Sequence, residues 1–278
     1  MAGIPRAQIL ERLRAQIEAG RPIIGCGAGT GISAKCAQAG GADIIIIYNS
    51  GRFRMAGRGS MAGLMPYGDA NAIVVEMAAE VLPVVRNTPV QAGVCGTDPF
   101  RLMPIFLRQL QEMGFSGVQN FPTVGLFEGN FRANLEATGM GFDKEVEMIG
   151  LAHGIDLFTT PYVFTPDEAT AMTRAGADLL VCHVGTTVSG SIGATVAYTL
   201  DEAAVRVMEM AEAAWSVRKD LMVICHGGPF DEPENVGTAL KNMPGIAGFF
   251  GASSIERLPT ERAIKGQVEA FKDLEMSS

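Results

Sequence analysis

Two Cys-His pairs close two successive apolar runs, Leu179-Leu180-Val181-Cys182-His183-Val184-Gly185 and Leu221-Met222-Val223-Ile224-Cys225-His226-Gly227-Gly228. They hold two of the three histidines in the chain. Imidazole titrates near neutral pH and also binds metals, so His183 and His226 are candidates for general acid/base work or metal ligation, against the alternative of structural histidines. Each run is short, apolar and closed by glycine, the pattern of a strand buried on both faces that ends in a tight turn. Functional sites of parallel α/β sheets lie at the carboxyl ends of the strands, where both histidines fall. Alternation along each strand turns Cys182 and Cys225 away from the side the histidines face, and with Cys26 and Cys95 they read as small core residues. His153, inside the helical segment Met148 to Gly154, reads as a cap or surface residue.

An anion site is predicted just beyond the second histidine. His226-Gly227-Gly228-Pro229 and Gly251-Ala252-Ser253-Ser254 follow the last two strands, where glycines let backbone N–H groups approach an oxyanion and serines add donors. The competing reading of Gly-Gly-Pro is a plain turn. Arg52, Arg54 and Arg58 lie in the glycine-rich stretch Ser50 to Asp69, read as a lid or ligand loop. Their guanidinium forks suit carboxylate and phosphate equally, and the alternative is a solvated surface loop. Asn49, with Tyr48 and Ser50, Gln119 with Asn120, and Thr159 with Thr160 are polar groups within or ending apolar runs; each needs a partner, supplied by a ligand or by neighbouring loops.

Asp98 follows the third strand in Cys95-Gly96-Thr97-Asp98-Pro99 and can bind Mg²⁺ or act as a base, with a helix N-cap as the alternative. Glu128, Asp231, Glu232 and Glu256 read as lying farther out in loops. The run Gly25-Cys26-Gly27-Ala28-Gly29-Thr30-Gly31 resembles a dinucleotide fingerprint, but Tyr48-Asn49 stands where the acidic ribose ligand belongs, so NAD is not expected. All six lysines fall in helical or helix-flanking segments, so neither a Schiff-base lysine nor a pyridoxal phosphate site is expected.

The elements that must position these groups alternate along the whole chain. Eight apolar runs, Ile23 to Gly27, Ala42 to Tyr48, Val90 to Cys95, Gly117 to Phe121, Leu157 to Tyr162, Leu179 to His183, Leu221 to His226 and Ile246 to Phe250, are separated by segments of helical periodicity. Met113-Gly114-Phe115 and Ala175-Gly176-Ala177-Asp178 mark recurrent helix-to-strand turns with a left-handed glycine. Eight β/α units in 278 residues predict a single-domain (β/α)8 TIM barrel, with an extra N-terminal helix from Pro5 to Gly20 across the amino-terminal mouth. That helix carries Ile9, Leu10, Leu13 and Ile17 on one face. Long segments follow strand ends at Ser50 to Asp69, Pro122 to Phe142 and Val184 to Tyr198, whereas helix-to-strand links are short.

The net charge of -8 leaves no basic stripe for phosphates along a duplex, which argues against nucleic acid. At 47% hydrophobic and 19% charged, the chain can bury a large core, and part of its apolar surface is expected to pack between subunits of a homo-oligomer. Five cysteines without CxxC spacing, no apolar span of the ~20 residues a bilayer needs and no signal core point to a reduced cytoplasmic setting.

With Gly25 to Gly31, Tyr48-Asn49-Ser50-Gly51-Arg52, Cys225-His226-Gly227-Gly228-Pro229 and Gly248-Phe249-Phe250-Gly251-Ala252-Ser253-Ser254-Ile255-Glu256-Arg257 in order, the chain resembles the phosphoenolpyruvate hydrolase-like TIM-barrel family over nearly its full length. That family is grouped with the phosphoenolpyruvate/pyruvate barrels, and a related barrel forms the C-terminal part of a plant antiviral resistance protein. The resemblance implies a small anionic metabolite, a phosphorylated or carboxylated oxo-acid, undergoing hydrolysis or C–P or C–C cleavage. It also implies Mg²⁺ on strand-end carboxylates, of which only Asp98 is clearly placed here. Metal-assisted retro-aldol or isomerase chemistry and a non-catalytic, metabolite-binding regulatory barrel are the alternatives.

Overall fold

The computed structural model describes residues 3–195 and 198–276. In chain order the elements are α1 (Arg6–Glu18), β1 (Ile23–Gly27), α2 (Gly31–Ala39), β2 (Ile44–Ile47), α3 (Asn49–Met55), α4 (Ala70–Val81), β3 (Val90–Val94), α5 (Met103–Met113), β4 (Gly117–Asn120), α6 (Gly129–Ala137), α7 (Phe142–Gly154), β5 (Phe158–Thr159), β6 (Tyr162–Val163), α8 (Pro166–Ala175), β7 (Leu179–His183), α9 (Leu200–Val217), β8 (Met222–His226), α10 (Pro233–Asn242), β9 (Gly248–Gly251) and α11 (Leu258–Lys272). The strands form one parallel sheet in the order β5-β4-β3-β2-β1-β9-β8-β7-β6. Its members are largely buried and mostly apolar, most plainly the four isoleucines of β2, as a parallel sheet covered by helices requires.

The fifth predicted strand is two. Pro161 has no N–H to give a ladder, and on either side of Thr160-Pro161 the chain turns to a different neighbour, β5 pairing with β4 and β6 with β7. The sheet therefore counts nine strands rather than the eight expected, and its two outermost members adjoin in sequence. The Asn120 side chain bridges the break: its Oδ1 accepts from Tyr162 N at 2.7 Å and its Nδ2 donates to Tyr162 O at 3.2 Å.

Helix α1 lies across the amino ends of the strands. It buries Ile9 and Leu13, about 2 kcal/mol of hydrophobic stabilisation each, while Arg6 pairs with Asp178 just before β7 at 2.7 Å. Ile17, expected on the buried face, is exposed. Gly114 and Gly176 close α5 and α8 in the left-handed conformation, as the sequence predicts. The stretch after β2 is not an open loop: α3 begins at once, and a 3-10 turn covers Ser60–Leu64. In the segment Val184 to Tyr198, residues 196 and 197 lie outside the described residues.

Candidate functional site

Strands β7 and β8 pair in a register that sets Cys182 opposite Cys225 and His183 opposite His226. The imidazole centroids are 4.6 Å apart with the rings nearly perpendicular, at 75°. Tyr162 stands against both rings, 5.0 Å from His183 and 5.1 Å from His226, Phe164 covers the first and Phe250 the second. This aromatic enclosure removes water, and burial drives both imidazoles toward the neutral form. His183 is held well below 6.5 by burial and then by His226; His226 is pushed down to about 4 by burial and by Arg54, against the opposing bond to Phe250. Cys182 and Cys225 are buried on the other side, with thiols pushed up by burial, that of Cys225 to about 12, so neither is a ready nucleophile.

Helical periodicity separates Arg52 from Arg54, and Arg58 lies beyond the end of α3. Arg54 points inward and is buried, whereas Arg52 lies at the surface paired with Glu76 at 2.6 Å and Arg58 bonds the carbonyls of Ala56 and Gly57. Arg54 donates to Ser50 Oγ at 3.1 Å and Glu256 Oε2 at 3.2 Å, lies over the Tyr48 ring, and leaves its Nε without a partner. Burial disfavours its charge, but Tyr48 and Glu256 outweigh that and keep it cationic. Arg54, Ser50, Ser253, Thr186, His183 and His226 all line one cavity of about 30 Å³ at the carboxyl ends of the strands. That is room for about one water molecule. Met61 and Ser60, whose Oγ lies 3.3 Å from Ser253 Oγ, close it from the turn after α3.

Glu256 corrects the sequence reading. It is buried rather than out in a loop, and its Oε1 accepts from Gly29 N and Ser33 Oγ, each at 2.5 Å. Gly31 N is likewise met by Glu80 Oε1 at 2.6 Å. The glycine-rich run that resembles a dinucleotide fingerprint thus spends amides at the N-terminus of α2 on the protein's own carboxylates.

The remaining candidates divide. Ala252 and Ser253 reach the cavity, while Gly251 ends β9 and Ser254 Oγ is buried without a partner. Gly227 and Gly228 turn with positive φ against Gly185, whose O accepts from Gly228 N at 2.9 Å. A Cβ at Gly227 would sit 2.1 Å from that carbonyl oxygen, so the close turn demands glycine there. Gln119 donates to Thr160 O and leaves Oε1 unpaired, Asn49 donates to Gly63 O and leaves Oδ1 unpaired, and Asn120 is committed to Tyr162 and Glu145. His153 makes no cap; its ring packs over Gly176.

Asp98 lies apart from the histidines, on a separate cavity of about 580 Å³ that it shares with Asn49, Cys95 and Phe127. Its Oδ1 accepts from Phe100 N, and its Oδ2 from Asn71 Nδ2 and Arg101. Burial raises its pKa, but these three donors outweigh it and hold the carboxylate below its usual range. With both oxygens engaged, and no group of three His, Cys, Asp or Glu converging among the described residues, the donor set does not fit a carboxylate-held divalent ion. Sequence reasoning missed Tyr162; its place beside the strand-breaking Pro161 was the available signal.

A parallel β/α fold with polar groups gathered at the carboxyl ends of its strands defines the class. The chain belongs to the phosphoenolpyruvate hydrolase-like family, whose model matches residues 8–274. It is 60% identical over 271 residues to the ToMV resistance protein Tm-1(GCR237) of Solanum lycopersicum, covering 98% of this chain and 36% of that protein. The chain thus spans about a third of the length of such curated relatives. Among solved structures it is similar in fold to a phosphoenolpyruvate phosphomutase from Streptomyces platensis subsp. rosaceus, with TM-score 0.59 and 16% identity, over 95% of this chain and 88% of that one. It is also similar to oxaloacetate acetylhydrolase, with TM-score 0.61 and 14% identity, over 97% and 88% of the two chains. No described helix is long and apolar enough to cross a membrane.

Proposed function

We propose that this chain is an enzyme acting on a small phosphorylated or carboxylated oxo-acid, by hydrolase or lyase chemistry at the carboxyl ends of its strands. The observation that carries this reading is that buried Arg54, whose Nε is unpartnered, lines the same cavity as His183 and His226. A buried cation with a free donor, ringed by hydroxyls, suits a carboxylate or phosphate, and two neutral imidazoles beside it can handle a proton. The family and the names of its structural neighbours agree with that chemistry. A ligand larger than one water requires the Ser60–Leu64 turn or the Thr186 segment to move, as a lid does. Crystals soaked with oxalate and with phosphonopyruvate test this: density against Arg54 and within hydrogen-bond reach of a histidine is expected. An anion bound only at the surface, or tight binding in the cavity with no turnover of any oxo-acid, would turn the reading toward a regulatory barrel.

Closure of the sheet into one eight-stranded ring is part of the same proposal. Thr160 N donates to Val118 O and Val181 N to Pro161 O across the two sides of the break, which supports counting Phe158 to Val163 as a single bent strand in a single domain. Self-association is supported by α11, which buries only Leu258 and exposes Ile264, Val268 and Phe271 on one side. A second copy of the chain is the proposed cover, and sedimentation of wild type against Phe271→Asp tests it: a monomeric wild type rejects it.

A further inference from the structure

His183 and His226 face one cavity, but the backbone gives them opposite tautomers. Gly185 N–H donates to His183 Nδ1 at 3.0 Å. An amide N–H only donates, so neutral His183 keeps its proton on Nε2. His226 Nδ1 lies 2.7 Å from Phe250 O. A carbonyl only accepts, so this nitrogen carries the proton and Nε2 of His226 is a bare lone pair. Two histidines that look interchangeable in sequence and pair in register are thus a donor and an acceptor.

Resting on the oxo-acid reading above, we propose that His226 Nε2 is the base that removes a proton from the carbon beside the substrate carbonyl, while neutral His183 Nε2–H donates a hydrogen bond to that carbonyl oxygen as it becomes an enolate. In this step the C–H bond breaks and an N–H bond forms on His226. The C–H electron pair becomes the C=C bond and the carbonyl π pair moves onto oxygen. Nothing is oxidised or reduced, and His226 returns the proton when the enolate collapses. The roles cannot be exchanged. His183 has no lone pair at Nε2 to act as a base, and losing that proton would leave an imidazolate, since Nδ1 receives only an amide hydrogen bond. A neutral imidazole is suited to polarising a carbonyl by donation instead. Arg54, the charge that bears on His226, is the group that would hold the substrate anion, and a bound anion offsets its field and makes His226 more basic when substrate is present.

Long-range ¹H–¹⁵N correlation spectra of ¹⁵N-histidine-labelled wild-type protein at neutral pH test the assignment without any substrate, with His183→Gln and His226→Gln spectra identifying the signals. The expected result is a protonated Nε2 on His183 and a protonated Nδ1 on His226; the same tautomer on both, or an imidazolium on either, overturns the proposal. Exchange of the carbon-bound protons of pyruvate and oxaloacetate in D₂O then tests the roles. His226→Gln is expected to slow exchange about 100-fold, and His183→Gln to lower kcat more than it raises KM. Oxalate binding without exchange of either oxo-acid by wild type would overturn the carbon-base role while sparing the oxo-acid reading, and failure of oxalate to bind at Arg54 would overturn that reading itself.

Discussion

Arg54 Nη2 lies 3.2 Å from Glu256 Oε2, and each side chain is only 1% exposed. The pair ties α3 to the turn between β9 and α11: Glu256 also takes Gly29 N and Ser33 Oγ, so one carboxylate fixes α2, α3 and that turn together. Removing one member leaves an uncompensated buried charge. Glu256→Gln is therefore expected to cost about 3–5 kcal/mol in chemical denaturation, and the double variant Arg54→Met with Glu256→Leu less than the single one. A loss below about 1 kcal/mol for Glu256→Gln would show that the pair is not a buried tie.

The neutral histidines make stability depend on pH. An unfolded histidine takes up a proton near pH 6.5, whereas folded His226 resists until about 4, through burial and the nearby Arg54 charge, against the opposing bond to Phe250. The unfolded state therefore binds more protons in that window, and stability falls as pH drops from 6.5 through 4. For His226 alone the loss is about 3 kcal/mol, with His183 adding in the same direction. His226→Gln should flatten the curve across this window in urea titrations; an unchanged slope would mean that the ring is charged in the fold.

Asn120 offers a separate test of how the sheet is completed. Its amide gives and accepts one hydrogen bond with the Tyr162 backbone where Pro161 interrupts the ladder, and Nδ2 also meets Glu145 Oε2 at 2.6 Å. Asn120→Ala strands those buried groups, at about 1–3 kcal/mol for each one left unpaired. Hydrogen exchange should accelerate first at Tyr162. Uniform acceleration over the chain would instead indicate a general loss of stability.

The alternation of strands and helices, the histidines' strand-end address and the left-handed glycines at Gly114 and Gly176 were legible because each rests on local pattern. The division of the fifth strand was less so: Pro161 announces a break, but that its two sides serve different neighbours depends on the whole sheet. The site was half legible. His183, His226, Arg54 and Ser253, which line one cavity, were named as candidates from type and position, while the separation of Arg54 from Arg52 required knowing that a helix starts at Asn49 rather than a loop. Glu256 was misplaced because a carboxylate in a polar run looks solvated until Arg54, about two hundred positions away in sequence, is brought against it. The tautomers of the histidines depend on Gly185 N and Phe250 O, backbone atoms whose positions no residue type discloses.

The contrast between Arg52 and Arg54 is the sharpest check on the anion site. Both sit on α3 two residues apart, so they point to different sides of the helix. Arg52 is an exposed partner of Glu76, and an ion pair of that kind contributes about 0–1 kcal/mol. Arg54 is buried, lines the cavity that holds both histidines and leaves its Nε–H unpartnered. Lysine keeps a positive charge but cannot reproduce the fixed donor fork, so Arg54→Lys separates charge from geometry. In calorimetric titration with oxalate, Arg52→Lys should bind as wild type does, whereas Arg54→Lys should lose about tenfold or more in affinity, equivalent to at least about 1.4 kcal/mol. Equal affinity in the two variants would remove Arg54 from the site and leave the cavity without its anion contact.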